Sequence, residues 1–181
     1  MFEVEVKLRV DHESVRPALE ARGATELGSV EQVDTYYDAP HREFGETDEA
    51  LRVRRERTGD GETVRFTYKG PLVDPESKTR EEHETVVADG DAVEAILAAL
   101  GFDPAAEVCK ERDRFALEGY TVVLDRVDGL GEFVEVETET GEADVTAARD
   151  GAHELLETLE LDPDEGIRTS YLGLLLADRD S

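Results

Sequence analysis

The sequence predicts an α+β fold in which antiparallel strands close into an eight-stranded β-barrel with helices packed on the outside. Three observations predict it. Residues 2–10 alternate strictly, with Phe2, Val4, Val6, Leu8 and Val10 on one side and Glu3, Glu5, Lys7 and Arg9 on the other. A period of two means a strand with one apolar and one charged face. Phe133-Val134-Glu135-Val136-Glu137 repeats that alternation late in the chain. Third, the strand-like segments are mostly linked as hairpins, hence antiparallel. Such a sheet can turn its charges to solvent, or close on itself with charges inside and helices over the apolar outside. In so acidic a chain, solvent-facing rows would be mostly acidic. Instead several strands carry paired arginines or lysines, which favours the closed form.

The elements follow in order. After the first strand, Val15, Leu19 and Arg22 fall at helical spacing over 12–22, and Gly23 stops the helix. Residues 33–38 are β-prone and end in a turn at Pro40, with a loop to Asp48. Leu51–Arg54 and Val64–Lys69 form a hairpin about Thr58-Gly59-Asp60-Gly61, and Gly70-Pro71 ends its second arm. Residues 79–87 read as a strand. Asp91–Leu100 is an amphipathic helix with Asp91 as its N-cap. Strands are expected near 108–116, 120–127 and 132–139, the last two joined by Asp128-Gly129-Leu130-Gly131. Helices are expected over 145–159 and 168–177. With 181 residues and no repeat or linker, one domain over 1–181 is expected.

The chain holds 20 basic and 46 acidic residues, a net charge of −26. That surface repels nucleic acid and anionic membranes, so neither is expected as a partner. The acids are spread among periodic apolar residues, unlike a disordered acidic tail. Abundant Asp and Glu with little Lys resembles proteins of salt-loving organisms, where a Debye length of about 3 Å at 1 M screens self-repulsion. No signal segment or membrane-length apolar run is visible, so a cytoplasmic protein is expected, as monomer or homodimer. Cys109 is alone, and His12, His41, His83 and His153 show no zinc spacing.

Against that background the four lysines, Lys7, Lys69, Lys78 and Lys110, stand out, each in or beside a charged strand. Two constellations emerge. Glu3 and Glu5 early, Glu135 and Glu137 late, and Asp125 on the strand between are carboxylates whose spacing of two aims pairs to one side, suited to hard divalent cations. Lys7, Arg52, Arg54, Arg65, Lys69, Arg80, Lys110, Arg112 and Arg114 form a basic set suited to polyphosphate oxygens. Together they are the parts of metal-assisted phosphoryl chemistry.

The same residues carry a family resemblance. Glu3-Val4-Glu5-Val6-Lys7 matches the Glu-x-Glu-x-Lys opening of the CYTH superfamily, the triphosphate tunnel metalloenzymes. Further matches are Gln32–Tyr37, Glu46–Arg54, Thr67–Pro71, Ser77–Glu82, Lys110–Arg112, Leu124–Asp125, Gly129–Glu137 and Ser170–Leu175. They run in order along nearly the whole chain and look closest to the class IV adenylyl cyclase branch, especially its archaeal members. The resemblance implies an eight-stranded tunnel. It implies Glu3, Glu5, Glu135 and Glu137 as ligands for Mg2+ or Mn2+, with Asp125 assisting. It implies Lys7, Arg52, Arg54, Lys69, Arg80, Lys110 and Arg112 as the triphosphate grip, with Glu82 and Glu84 orienting the basic residues or a metal-bound water. Lys78 and Arg168 are placed near the tunnel ends.

Three functions are then expected in descending order. The first is conversion of ATP to cyclic AMP and pyrophosphate, with Lys7 as base. The second is hydrolysis of tripolyphosphate, thiamine triphosphate or a nucleoside triphosphate. The third is binding without chemistry. The first strand lacks the His-Phe-Glu variant of some bacterial cyclases, which keeps hydrolysis open. Tyr36, Tyr37, Phe44 and Tyr68 are candidates for lining a base pocket, or for exterior core.

Overall fold

The computed structural model describes residues 1–180. Its elements are β1 (Phe2–Arg9), α1 (His12–Ala21), β2 (Thr25–Asp38), α2 (Phe44–Thr47), β3 (Ala50–Thr58), β4 (Gly61–Lys69) and β5 (Arg80–Val87). Then come α3 (Gly90–Ala99), β6 (Asp103–Leu117), β7 (Tyr120–Val127), β8 (Gly131–Thr140), α4 (Val145–Thr158) and α5 (Tyr171–Arg179). The strands close into an antiparallel eight-stranded barrel in the order β1-β5-β4-β3-β2-β6-β7-β8, as the alternation predicted.

The apolar sides of the strands face outward under helices. Val6 and Leu8 of β1, Val122 and Leu124 of β7, and Val134 and Val136 of β8 pack against Val15 and Leu19 of α1 and Leu155 and Leu156 of α4. Leu156 is fully buried there, so its truncation to Ala costs about 2–5 kcal/mol. A second cluster joins Tyr37, Phe44, Leu51 and Val53 to Leu97 of α3. A third seats Tyr171 of α5 on Val108, Val127 and Phe133 at one end of the barrel.

The closure is uneven. β1 pairs with β8 over its whole length but with β5 only at Phe2 and Glu3. The 70–79 connection completes that wall, with the Lys78 amide donating to the Glu5 carbonyl at 2.9 Å. It is held from outside. Arg168 donates to the Asp74 and Ser77 carbonyls, and Arg149 pairs with the Asp74 carboxylate at 3.0 Å.

Several boundaries differ from expectation: β6 begins at Asp103 rather than near 108, the arms β3 and β4 run longer than 51–54 and 64–69, and the stretch expected as a loop to Asp48 holds α2. The α3 N-cap is Asp89, whose side chain accepts from the Ala92 amide, while Asp91 pairs with Arg55 at 2.6 Å. β2 begins at Thr25 rather than 33, because its first half pairs with β6 through a bulge at Glu26/Gly28. The last helix begins at Tyr171 rather than 168, since Ser170 caps it by accepting from the Gly173 amide. Arg168 lies before it, tied to the 70–79 connection.

Candidate active site

The inward sides of the strands line a lumen of about 1080 Å³. It runs from α2 and α5, where Phe44, Leu172 and Leu176 border it, to the β6–β7 turn at Gly119 and Thr121. Its wall is charged because every second residue of each strand points in.

One corner is acidic. Glu5 lies directly opposite Glu137 across the β1–β8 ladder, and Glu3 opposite Glu139. Like charges so placed destabilise a sheet, so the corner calls for a cation. One carboxylate oxygen each of Glu3, Glu5 and Glu137 lies within 4.8 Å of the others. That spacing suits oxygen ligands around a hard divalent ion at about 2.0–2.6 Å. Burial pushes the Glu137 carboxyl up to about 8; Arg112 opposes this, and Glu3 and Glu135 add to it. Burial likewise raises Glu3 despite Lys69. Two carboxylates that resist ionising without a counter-charge are the donor set a divalent cation completes, so the residues fit such an ion.

Asp125 and Glu135 are placed differently. Arg112 forks onto Asp125 with Nε–O and Nη–O distances of 2.7 and 2.6 Å, and the same guanidinium reaches Glu135 at 2.8 Å. Asp125 also accepts from the Tyr171 hydroxyl at 2.9 Å and lies 3.5 Å from Lys110. Burial alone would raise Asp125, but Arg112 and Lys110 outweigh it and hold its carboxyl well below the usual range. The five acids thus divide into three that share a corner and two engaged by arginine.

The opposite wall is basic. Arg54 forks onto Asp34 at 2.6 and 2.7 Å, and Arg52 lies 3.5 Å from the same carboxylate. Asp34 is fully buried, yet the two arginines keep it ionised. Lys69 contacts Glu3 and pairs with Glu82 at 2.9 Å. Glu84 accepts from Arg65 and Thr67. Arg80 lines the lumen and donates to the Asp48 carbonyl at 2.6 Å.

Lys69, Lys78 and Lys110 line the lumen, and Lys7 is buried beside it. The Lys7 ammonium has no hydrogen-bond partner among the described residues, lies 4.3 Å above the Tyr171 ring and is 4.0 Å from Glu5. Burial and then Lys78 push it down to about 7. Burial and Arg112 push Lys110 down to about 8. Both are cations short of negative charge, as a phosphate site requires. Of the aromatic candidates, Tyr36, Tyr37 and Phe44 border the lumen, while Tyr68 stacks on His83 outside.

The sequence reading assigned no role to Asp34 or Tyr171. Asp34 stands opposite Arg54 across β2 and β3, a register that no local pattern discloses. Tyr171 opens an apolar helix run and gave no sign that its hydroxyl reaches inward.

Residues 1–171 match the CYTH domain. A Methanocaldococcus jannaschii protein named as a candidate adenylate cyclase is 36% identical over 176 residues, 96% of this chain and 98% of that one. A solved Pyrococcus horikoshii structure superposes with a TM-score of 0.90 at 37% identity, covering 98% of this chain and 99% of that one. A Hippeastrum adenylyl cyclase candidate, described as revealing a dominant triphosphatase activity, superposes at a TM-score of 0.68. It is 16% identical, covers 98% and 95% of the two chains, and shows the fold alone. With a charged barrel lumen and a match across this much of the sequence, the chain belongs to the CYTH family.

Proposed function

We propose that the protein is a metal-dependent enzyme acting on a nucleoside triphosphate, and that it converts ATP to cyclic AMP and pyrophosphate. One observation carries the reading: a three-carboxylate corner faces a row of arginines and lysines inside one lumen. Acid for the metal and base for the phosphates stand within reach of a single polyphosphate. The lumen's volume leaves room beyond a triphosphate, and its α2–α5 end is bordered by Tyr36, Phe44, Leu172 and Leu176, surfaces on which a nucleoside packs.

In this reading Glu3, Glu5 and Glu137 hold Mg2+ or Mn2+, which supplies Lewis acidity and charge neutralisation at the phosphates. Arg52, Arg54, Lys69, Lys110 and Arg112 bind the non-bridging oxygens, and Arg80 contributes at the rim. Asp125 and Glu135 hold Arg112 in place rather than ligating. Lys7, which burial and then Lys78 push down to about 7, takes the proton of the ribose 3′-hydroxyl as the neutral amine. The 3′-oxygen bonds to the α-phosphorus in line while the bond to the β-bridging oxygen breaks and pyrophosphate leaves. An enzyme drawing on ATP would work in the cytoplasm.

A second reading, triphosphate hydrolysis, draws on the same grip. It asks less of the lumen, since hydrolysis needs a water at a terminal phosphorus, whereas cyclisation needs the 3′-oxygen within about 3.5 Å of the α-phosphorus. Purified protein incubated in concentrated salt with Mg2+ or Mn2+ and either ATP or tripolyphosphate decides between them. Cyclic AMP with pyrophosphate supports the first reading. ADP or AMP with orthophosphate, and rapid tripolyphosphate breakdown, replace it with the second.

A further inference from the structure

The three carboxylates of the acidic corner each already have a cationic neighbour from the protein. Glu3 is contacted by the Lys69 ammonium, Glu5 by Lys78 at 3.2 Å, and Glu137 lies 3.9 Å from Arg112. Lys69 and Arg112 each have a second carboxylate, at Glu82 and Asp125 respectively. Lys78 has none: Glu5 is its one ion-pair partner among the described residues. Its backbone is fixed, with the amide on the Glu5 carbonyl and the flanking turn gripped through Asp74 by Arg149 and Arg168. Its side chain is a flexible stem at the lumen wall, 11% exposed.

We propose that Lys78 is a placeholder cation, which occupies Glu5 in the free protein and passes to the polyphosphate when a divalent ion takes Glu5. This rests on the metal-and-triphosphate reading above and adds to it a mechanism of coupled loading. An ammonium 3.2 Å from Glu5 and a divalent ion on the same carboxylate repel each other, so each weakens the other's hold on Glu5. Phosphate oxygens in the same lumen offer the displaced ammonium a new partner. The metal therefore frees a phosphate ligand, and the polyphosphate removes a competitor from the metal site. Each ligand lowers the free-energy cost of the other's entry, and the coupling is reciprocal. The fixed backbone matters, because a lysine on a loose loop would leave Glu5 without being directed into the lumen.

The test separates this role from a structural one by sign. Mn2+ alone and metal-free tripolyphosphate alone are titrated by calorimetry into the parent, Lys78→Met and Glu5→Gln, in concentrated KCl. Lys78→Met should bind Mn2+ alone tighter by about fivefold or more, and tripolyphosphate alone weaker by a similar factor, the low end of ordinary coupling. Glu5→Gln should do the reverse, binding tripolyphosphate tighter and Mn2+ weaker. Lys78→Met that loses both affinities, or changes neither, overturns the proposal while the parent's binding leaves the metal-and-triphosphate reading standing. A parent that binds tripolyphosphate neither alone nor with Mn2+ overturns both.

Discussion

Replacing Asp125 with Asn tests whether this acid serves the metal or the frame. Asp125 is fully buried and supports three groups: the Arg112 fork, the Lys110 ammonium and the Tyr171 hydroxyl. Asn keeps the shape but removes the charge and presents an NH2 to groups that are all donors. Removing one partner of a buried ion pair costs about 3–5 kcal/mol, because the other charge stays buried. Glu135 still holds Arg112 at 2.8 Å, so the low end, about 3 kcal/mol, is expected. At about 2–4 °C per kcal/mol for a chain of this size, the melting temperature should fall by about 6–12 °C. Mn2+ affinity, measured by the loss of the free-ion electron paramagnetic resonance signal, should stay within about threefold of the parent, roughly 0.65 kcal/mol. Glu137→Gln should show the opposite pattern, with weakened Mn2+ binding and no loss of metal-free stability. If Asp125→Asn melts like the parent and loses Mn2+ binding, Asp125 is a ligand and the division of the five acids drawn from the geometry is wrong.

Metal-free protein should lose stability as pH rises. Glu137 has its carboxyl raised from 4.5 to about 8, so the folded form binds more protons than the unfolded one across that interval. Its contribution is full below about 4.5 and gone above about 8. Glu137→Gln should flatten the melting temperature against pH, and a parent whose melting temperature climbs over that range refutes the assignment. Salt should stabilise the fold, since a net charge of −26 is poorly screened at a Debye length of about 10 Å in 0.1 M salt. A melting temperature that does not rise between about 0.1 M and 2 M KCl contradicts this. Lys69→Ala should weaken tripolyphosphate and ATP binding alike, because Lys69 lies among the phosphate-facing cations at the Glu3 corner. Equal affinity for either ligand in the variant removes Lys69 from the grip.

What the sequence disclosed depended on how local the cause was. The Glu3, Glu5, Lys7 row and the Glu135, Glu137 row follow from a period of two within single strands, so their shared face could be read before any strand was paired. That Glu5 stands against Glu137, making two like charges an asset rather than a fault, depends on β1 meeting β8 across more than 120 residues of chain. No local pattern contains that. The Asp89 cap shows the limit at short range. Asp89-Gly90-Asp91 offers two acids to one helix start, and the outcome was set by tertiary contacts. Arg55 reaches Asp91, and Gly90 lies so close to β4 that an added Cβ would stand 2.9 Å from the Val64 side chain. Tyr171 was hidden for the same reason. Along the chain it opens an apolar helix, and only the docking of α5 on the barrel end brings its hydroxyl to Asp125 and its ring under Lys7. The charged rows state which ions the lumen can hold, whereas closure decides which charges are spent on one another. Arg54 and Arg112 are each matched by a buried aspartate, and Lys7 is left without a hydrogen-bond partner among the described residues. An amine that burial and a neighbouring lysine push down to about 7, with Glu5 4.0 Å away, is the position from which proton transfer gains most, and so Lys7 is the residue on which the chemistry should depend.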